Sequence, residues 1–239
     1  MKRFSIFAIL FAMAPFFVMA QDDKPVVVET IQITVNKGAY KAFEKAVKEH
    51  NDKYHPEGTP HAAWLETIAT GPNTGTYVWI MGPGSYADLD TRPAGEHDDD
   101  WDKNVMKHVD NVSMVEYWSY KKDLSFRPEN YESGKMSMLW FVEVNRGQYY
   151  RFKGVMEKVR ATQEKMNEHM SVWGTTFSAG DGRDIVISWN QQNWAALDED
   201  SKFMKTYEEL NGPGSFMNLI SEWEACTGSI VEEMWVEVE

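Results

Sequence analysis

The segment "VNKGAYKAFEKAV", beginning at Val35, returns as "VNRGQYYRFKGVM" at Val144, 109 positions later. Val, Asn, Gly, Tyr and Phe fall in step, and Lys is exchanged for Arg. Such a period is too long for a solenoid and suits a duplicated domain. The correspondence continues along the chain. Trp64 pairs with Trp173 at the same offset, Ser85 to Asp90 with Asn193 to Asp198 at 108, and Ser113-Met114-Val115-Glu116 with Ser229-Ile230-Val231-Glu232 at 116. Four matching segments in one order require two similar halves.

Each half predicts the same succession of elements. Val26 to Val35 ends in alternation, with Ile31, Ile33 and Val35 on one face and Gln32 and Thr34 on the other, the mark of a half-buried strand. Asn36-Lys37-Gly38 turns the chain into a helix with Tyr40, Phe43 and Val47 on one face. Strands at Trp64 to Thr70 and Thr76 to Met81 flank "GPNTG", a hairpin signal. A helical stretch from about His97 to His108 and a strand from Val112 to Tyr120 complete the half. The second half repeats this with a strand at Ser137 to Val144, a helix at Tyr149 to Asn167 and a hairpin around "AGDGRD". Helical segments between Trp194 and Cys226 and a strand from Ser229 to Val238 follow. The order is β-α-β-β-α-β twice, the ferredoxin-like unit. The first repeat spans 26–122 and the second 136–239, and the polar stretch 123–135, "DLSFRPENYESGK", reads as a linker.

In this element order and its duplication the chain resembles the dimeric α/β barrel superfamily in tandem form. The resemblance implies an α+β fold in which two ferredoxin-like βαββαβ repeats fuse into one pseudo-dimeric α/β barrel, helices outside and ligands in the barrel clefts. Relatives implied by it include cofactor-free monooxygenases, haem-degrading enzymes, peroxidases and sugar mutarotases.

Candidate site residues follow from the repeat. Glu116 and Glu232 stand at matched positions of the last strands, where an unpaired carboxylate is costly. Pointed inward together, they form an acid–base pair with one raised pKa; on a solvated face, or paired with Lys or Arg, they are structural. Trp64 and Trp173 open the second strands and offer aromatic platforms to a flat ligand or sugar face, or else simply pack the core. His61 and His169 precede those strands, and Glu143 joins Phe141 on the inward side of its strand, so all three are expected to bind ligand. Tyr40, Tyr149, Phe43 and Phe152 read as helix-to-sheet core. No cofactor and no metal ligands are assigned: the six histidines and single cysteine lack metal-ligand spacing. The acidic run "EHDDDWD", Glu96 to Asp102, is explained as carboxylates opposing a helix dipole.

The first residues and the charge set the compartment and partners. Lys2 and Arg3 precede an apolar run, Phe4 to Phe17, and Val18-Met19-Ala20 supplies a small-residue cleavage site, so 1–20 reads as a signal peptide. The mature chain is expected to start near Gln21, exported to periplasm or medium, with no membrane span after cleavage. Losing Lys2 and Arg3 takes the net charge from −13 to −15, which repels phosphate backbones and argues against nucleic acid. The partner expected is a small-molecule ligand, used either by a cofactor-independent enzyme or by a binding protein. A haem-binding barrel and a non-catalytic interaction protein are the alternatives, and a homo-oligomer stays open.

Overall fold

Alternating side chains on eight strands decide the architecture. The computed structural model describes residues 24–238, so the expected signal peptide and the start at Gln21 lie outside the described residues. The elements run β1 (Val27–Val35), α1 (Tyr40–Tyr54), β2 (Ala63–Ile68), β3 (Tyr77–Gly84), α2 (Tyr86–Leu89) and α3 (Glu96–Asp100). A π-helical turn (Trp101–Val105) and a 3-10 turn (Met106–His108) extend α3 into β4 (Val109–Tyr120). Then come β5 (Met136–Val144), α4 (Tyr149–Met166), β6 (Ser171–Thr175), β7 (Ile185–Gln191), a 3-10 turn (Trp194–Asp198), α5 (Phe203–Asn211), α6 (Ser215–Cys226) and β8 (Thr227–Glu237).

The strands close into one antiparallel barrel in the order β1-β3-β2-β8-β5-β7-β6-β4. Each half contributes four neighbouring strands, β4-β1-β3-β2 and β8-β5-β7-β6. Two ladders join them: β2 to β8 through Glu66, Thr67 and Ile68, and β4 to β6 through Trp118, Ser119 and Tyr120. Closure leaves no free sheet edge within the barrel.

Strand alternation sorts the apolar residues into three cores. On the outer face, Ile33, Val35, Leu65, Tyr77 and Trp79 pack beneath Phe43, Ala46 and Val47 of α1. Val142, Val172, Ile185 and Ile187 pack beneath Phe152, Val155 and Met156 of α4, with Tyr207 and Leu219 from α5 and α6. The inner face holds Val28, Ile68, Val78, Ile80, Trp118, Leu139, Phe141, Val186 and Trp235, drawn from both halves. Tyr40 and Tyr149 depart from the core expectation: at the first turns of α1 and α4 they are 45% and 46% exposed, whereas Phe43 and Phe152 are fully buried. A residue in the first turn overhangs the end of the sheet, so the same helix face loses its cover there.

The linker is half packed. Leu124 is buried in the second-half core, Phe126 pairs with Met170 as an isolated β-bridge, and the Ser125 hydroxyl accepts the Val172 N–H at 2.8 Å. Among the described residues no helix is long and apolar enough to cross a membrane.

Candidate functional site at the barrel mouth

Register fixes which side chains reach the interior. Trp64 and Glu66 lie opposite Ile80 and Val78 of β3, both inner-face residues, so Trp64, Glu66 and Ile68 point inward. On β6 the pairing of Trp173 with Tyr120 and with Val186 does the same for Trp173. Both tryptophans therefore stand on the inner face, near the end where β1, β2, β5 and β6 begin. Trp173 meets Tyr120 at 5.0 Å between ring centroids. Polar groups share this mouth. Asn190 donates to Ser137 Oγ at 2.9 Å and accepts from the Tyr131 hydroxyl, and Tyr131 stacks on His169 at 4.1 Å. Burial, with Arg127 nearby, holds the His169 imidazole down to about 4.

Glu66 is the distinctive group. Its backbone sits in a half-exposed strand, but the carboxyl tip is buried: Oε1 accepts the Trp64 indole N–H at 3.0 Å, and Oε2 has no hydrogen-bond partner among the described residues. Desolvation raises its pKa from 4.5 to about 7; the Trp64 hydrogen bond opposes this and Glu237, across the β2–β8 seam, adds to it. A carboxyl poised near neutrality beside an aromatic wall is suited to general acid–base work.

At the opposite end the carboxylates serve the seams. Arg183, delivered by the β6–β7 hairpin, grips Glu116 with two bonds of 2.9 and 2.8 Å, and its guanidinium lies 3.6 Å from the Phe141 ring centroid. The β2–β3 hairpin delivers Asn73, which donates to Glu233 at 2.7 Å, while the Trp235 indole N–H holds the other oxygen at 2.7 Å. The hairpin reaches that close because Gly71 packs on β8; a Cβ there would lie 2.6 Å from the Glu232 carbonyl oxygen, and its φ of +91° also favours glycine. Each half thus bolts the last strand of the other.

This arrangement separates the two expected acid–base residues. Glu116 faces inward opposite Thr30, but its partner is Arg183. Glu232 lies opposite Trp140, an outer-face residue, and is exposed; the inward glutamate of β8 is Glu233, opposite Leu139. Glu116-Tyr117-Trp118 therefore corresponds in space to Glu233-Met234-Trp235, an offset of 117 rather than 116. The β1–β4 ladder carries two register shifts and the β5–β8 ladder one, and a single-residue slip exchanges the faces of a strand. Glu143 sits at the barrel end away from Trp64, where Ser229 donates to it from backbone (3.1 Å) and hydroxyl (2.9 Å) and lowers its pKa. His61 is tied through Nε2 to the Asp88 carbonyl at 2.7 Å, on the outer layer. Of the expected ligand residues, the structure gathers Trp64, Trp173 and His169 at one mouth and leaves His61 and Glu143 elsewhere.

Sequence reasoning missed Glu66, Arg183, Asn73 and Glu233. A signal for the last was present: the repeated Glu-x-Trp triplet competes with the repeated Ser-x-Val-Glu. It also missed a cluster of His50, His55 and His97 between α1 and α3, where burial lowers the pKa of His50 and takes that of His55 to about 4.

No protein-family profile and no curated protein matches the sequence. Solved structures do match in fold. A candidate monooxygenase from Lactobacillus acidophilus is 13% identical, with 90% of this chain and 94% of that chain covered at a TM-score of 0.56. A candidate monooxygenase from Fusobacterium nucleatum is 9% identical, with coverage of 90% and 93% and a TM-score of 0.60. A haem-binding protein from Thermus thermophilus is 11% identical, with coverage of 90% and 92% and a TM-score of 0.52. These neighbours are dimeric α+β barrel proteins, and at such identities the likeness establishes the α+β barrel fold alone.

Proposed function

We propose that this chain is an exported protein of two fused ferredoxin-like repeats that binds a flat aromatic or sugar-like molecule at the barrel mouth, with Glu66 as its proton-transfer group. The observation that carries the reading is the Glu66 carboxyl: buried at its tip, bonded on one oxygen by Trp64, without a partner among the described residues on the other, and raised to about 7. Trp64, Trp173 and Tyr120 supply aromatic faces, and Asn190, Ser137 and His169 supply polar groups. The protonated Glu66 donates from Oε2, and once ionised it accepts a proton there, with the indole N–H stabilising the anion. Export rests on the order of basic, apolar and small residues in 1–20.

The test is tryptophan-fluorescence titration of the full chain with a panel of phenols, hydroxyquinones and glycosides. At least one class is expected to quench saturably, with affinity reduced tenfold or more in Trp173→Ala and a pH-dependent affinity flattened in Glu66→Gln. Binding indifferent to both variants, or no binding across the panel, refutes the proposal.

A haem reading comes from the T. thermophilus neighbour. The residues present do not fit it. Among the described residues, no histidine occupies an inner-face strand position; His169, nearest the mouth, is covered by Tyr131 and bonded through Nε2 to Ser171 Oγ at 3.0 Å. Trp118, Leu139, Phe141 and Trp235 pack together on the inner face.

A further inference from the structure

We propose that His50, His55 and His97 form a three-histidine site for a late first-row divalent metal ion, zinc foremost, bound through the three Nε2 atoms. The fold brings them together from distant places. The buried stripe of α1 that begins with Phe43, Ala46 and Val47 continues to His50, His55 follows the end of the same helix, and His97 stands in the first turn of α3. One ring nitrogen from each lies within 4.8 Å of the other two.

The hydrogen bonds on the far side of each ring determine what the near side offers. His50 Nδ1 is 2.8 Å from Asp100 Oδ2, His55 Nδ1 is 2.7 Å from the His61 carbonyl oxygen, and His97 Nδ1 is 2.8 Å from Asp98 Oδ1. All three partners are acceptors, so in the neutral rings the proton sits on Nδ1 and Nε2 carries a lone pair. His55 Nε2 and His97 Nε2 nevertheless stand 3.1 Å apart, and His50 Nε2 is buried with no partner among the described residues. Two lone pairs face each other, and a third belongs to the same cluster with nothing to accept. An electropositive centre among them resolves the arrangement. Zinc–imidazole bonds of about 2.0–2.1 Å in tetrahedral geometry separate ligand nitrogens by about 3.4 Å, close to the distance observed. A carboxylate or carbonyl on the second nitrogen of every ligand is the usual support of a metal-bound histidine.

The donor set selects the metal class. Three imidazoles without thiolate suit zinc, copper or nickel in preference to calcium or magnesium. Asp98 and Asp100 are engaged in orienting the rings, which leaves the fourth position to water or an outside ligand. His97 is partly exposed and provides the approach, while Trp79, Trp101 and Tyr54 wall the other sides with ring centroids 5.0–5.3 Å from the histidines. The acidic segment Glu96–Asp102 thereby gains a role for its imidazole and two of its carboxylates.

The experiment uses the full chain, stripped with chelator and titrated with Zn²⁺ by calorimetry and with Co²⁺ by visible absorption. One equivalent per chain and the intense d–d bands of tetrahedral Co²⁺ are expected. His97→Ala, at the most exposed ligand, should weaken binding a hundredfold or more with an unchanged circular-dichroism spectrum. Asp98→Asn should weaken it about 10–100-fold, and His108→Ala, in the 3-10 turn, should leave it intact. Absence of saturable binding to the wild type overturns the site, as does one-equivalent binding that survives His97→Ala.

Discussion

Replacing Glu66 by Gln keeps the shape of the side chain and its bond from Trp64 while removing the titration. Its folded-state pKa, about 7, lies above the unfolded value near 4.5. Below about pH 4.5 the carboxyl is protonated in both states, and its contribution to stability is fully present. Between 4.5 and 7 the unfolded chain ionises while the folded chain still holds its proton, so that contribution is lost as pH rises through the folded pKa. At about 1.4 kcal/mol per tenfold ratio, the displacement from 4.5 to about 7 is worth about 3 kcal/mol, an upper figure because part of the residue is solvated. For a barrel of this size 1 kcal/mol shifts Tm by roughly 2–4 °C, so the full effect is roughly 6–12 °C. Thermal melts of wild type and Glu66→Gln, followed by circular dichroism from pH 4 to 8, provide the assay. The variant is expected to match the wild type at pH 4 and to melt progressively higher than it towards pH 8. Parallel curves would show that Glu66 titrates like a solvated carboxyl, which removes the basis for its proton-transfer role.

The seam clamp predicts strong coupling. Arg183→Met leaves Glu116 uncompensated at 15% side-chain exposure and should cost about 3–5 kcal/mol in urea unfolding, with much of the loss recovered in the double variant with Glu116→Gln; additive losses refute the pairing. Residues 21–128 alone carry β2 and β4 without their partners β8 and β6 and expose an inner face with Trp118, Ile68 and Val78. They should dimerise or aggregate, and a stable monomer on size-exclusion chromatography at high concentration would contradict the interdependence of the halves. Mass analysis of exported protein should give a chain beginning near Gln21; one retaining Met1 would remove the export reading.

Much of this protein follows from local pattern. The residue pattern along the chain predicted the order of helices and strands, and alternation separated Ile31, Ile33 and Val35 from Gln32 and Thr34 on β1 and set Phe141 inside. These succeed because helix and strand periodicities are written in neighbouring residues. The matched tryptophans, Trp64 and Trp173, both stand on the inner face. What failed depended on registers and contacts that neighbouring residues do not encode. Glu232 and Glu233 are chemically identical, and only pairing with Trp140 or Leu139 decides which faces inward. Glu66 looks like any strand glutamate until barrel closure sets Glu237 opposite it and buries its tip. His50, His55 and His97, spaced 5 and 42 residues apart, carry no motif, and they meet only because α3 docks on α1. Sequence by itself determined the helices and strands, since their periodicities are short-range; the chemistry belongs to the tertiary structure, since desolvation and convergence exist only once distant segments have closed around a group.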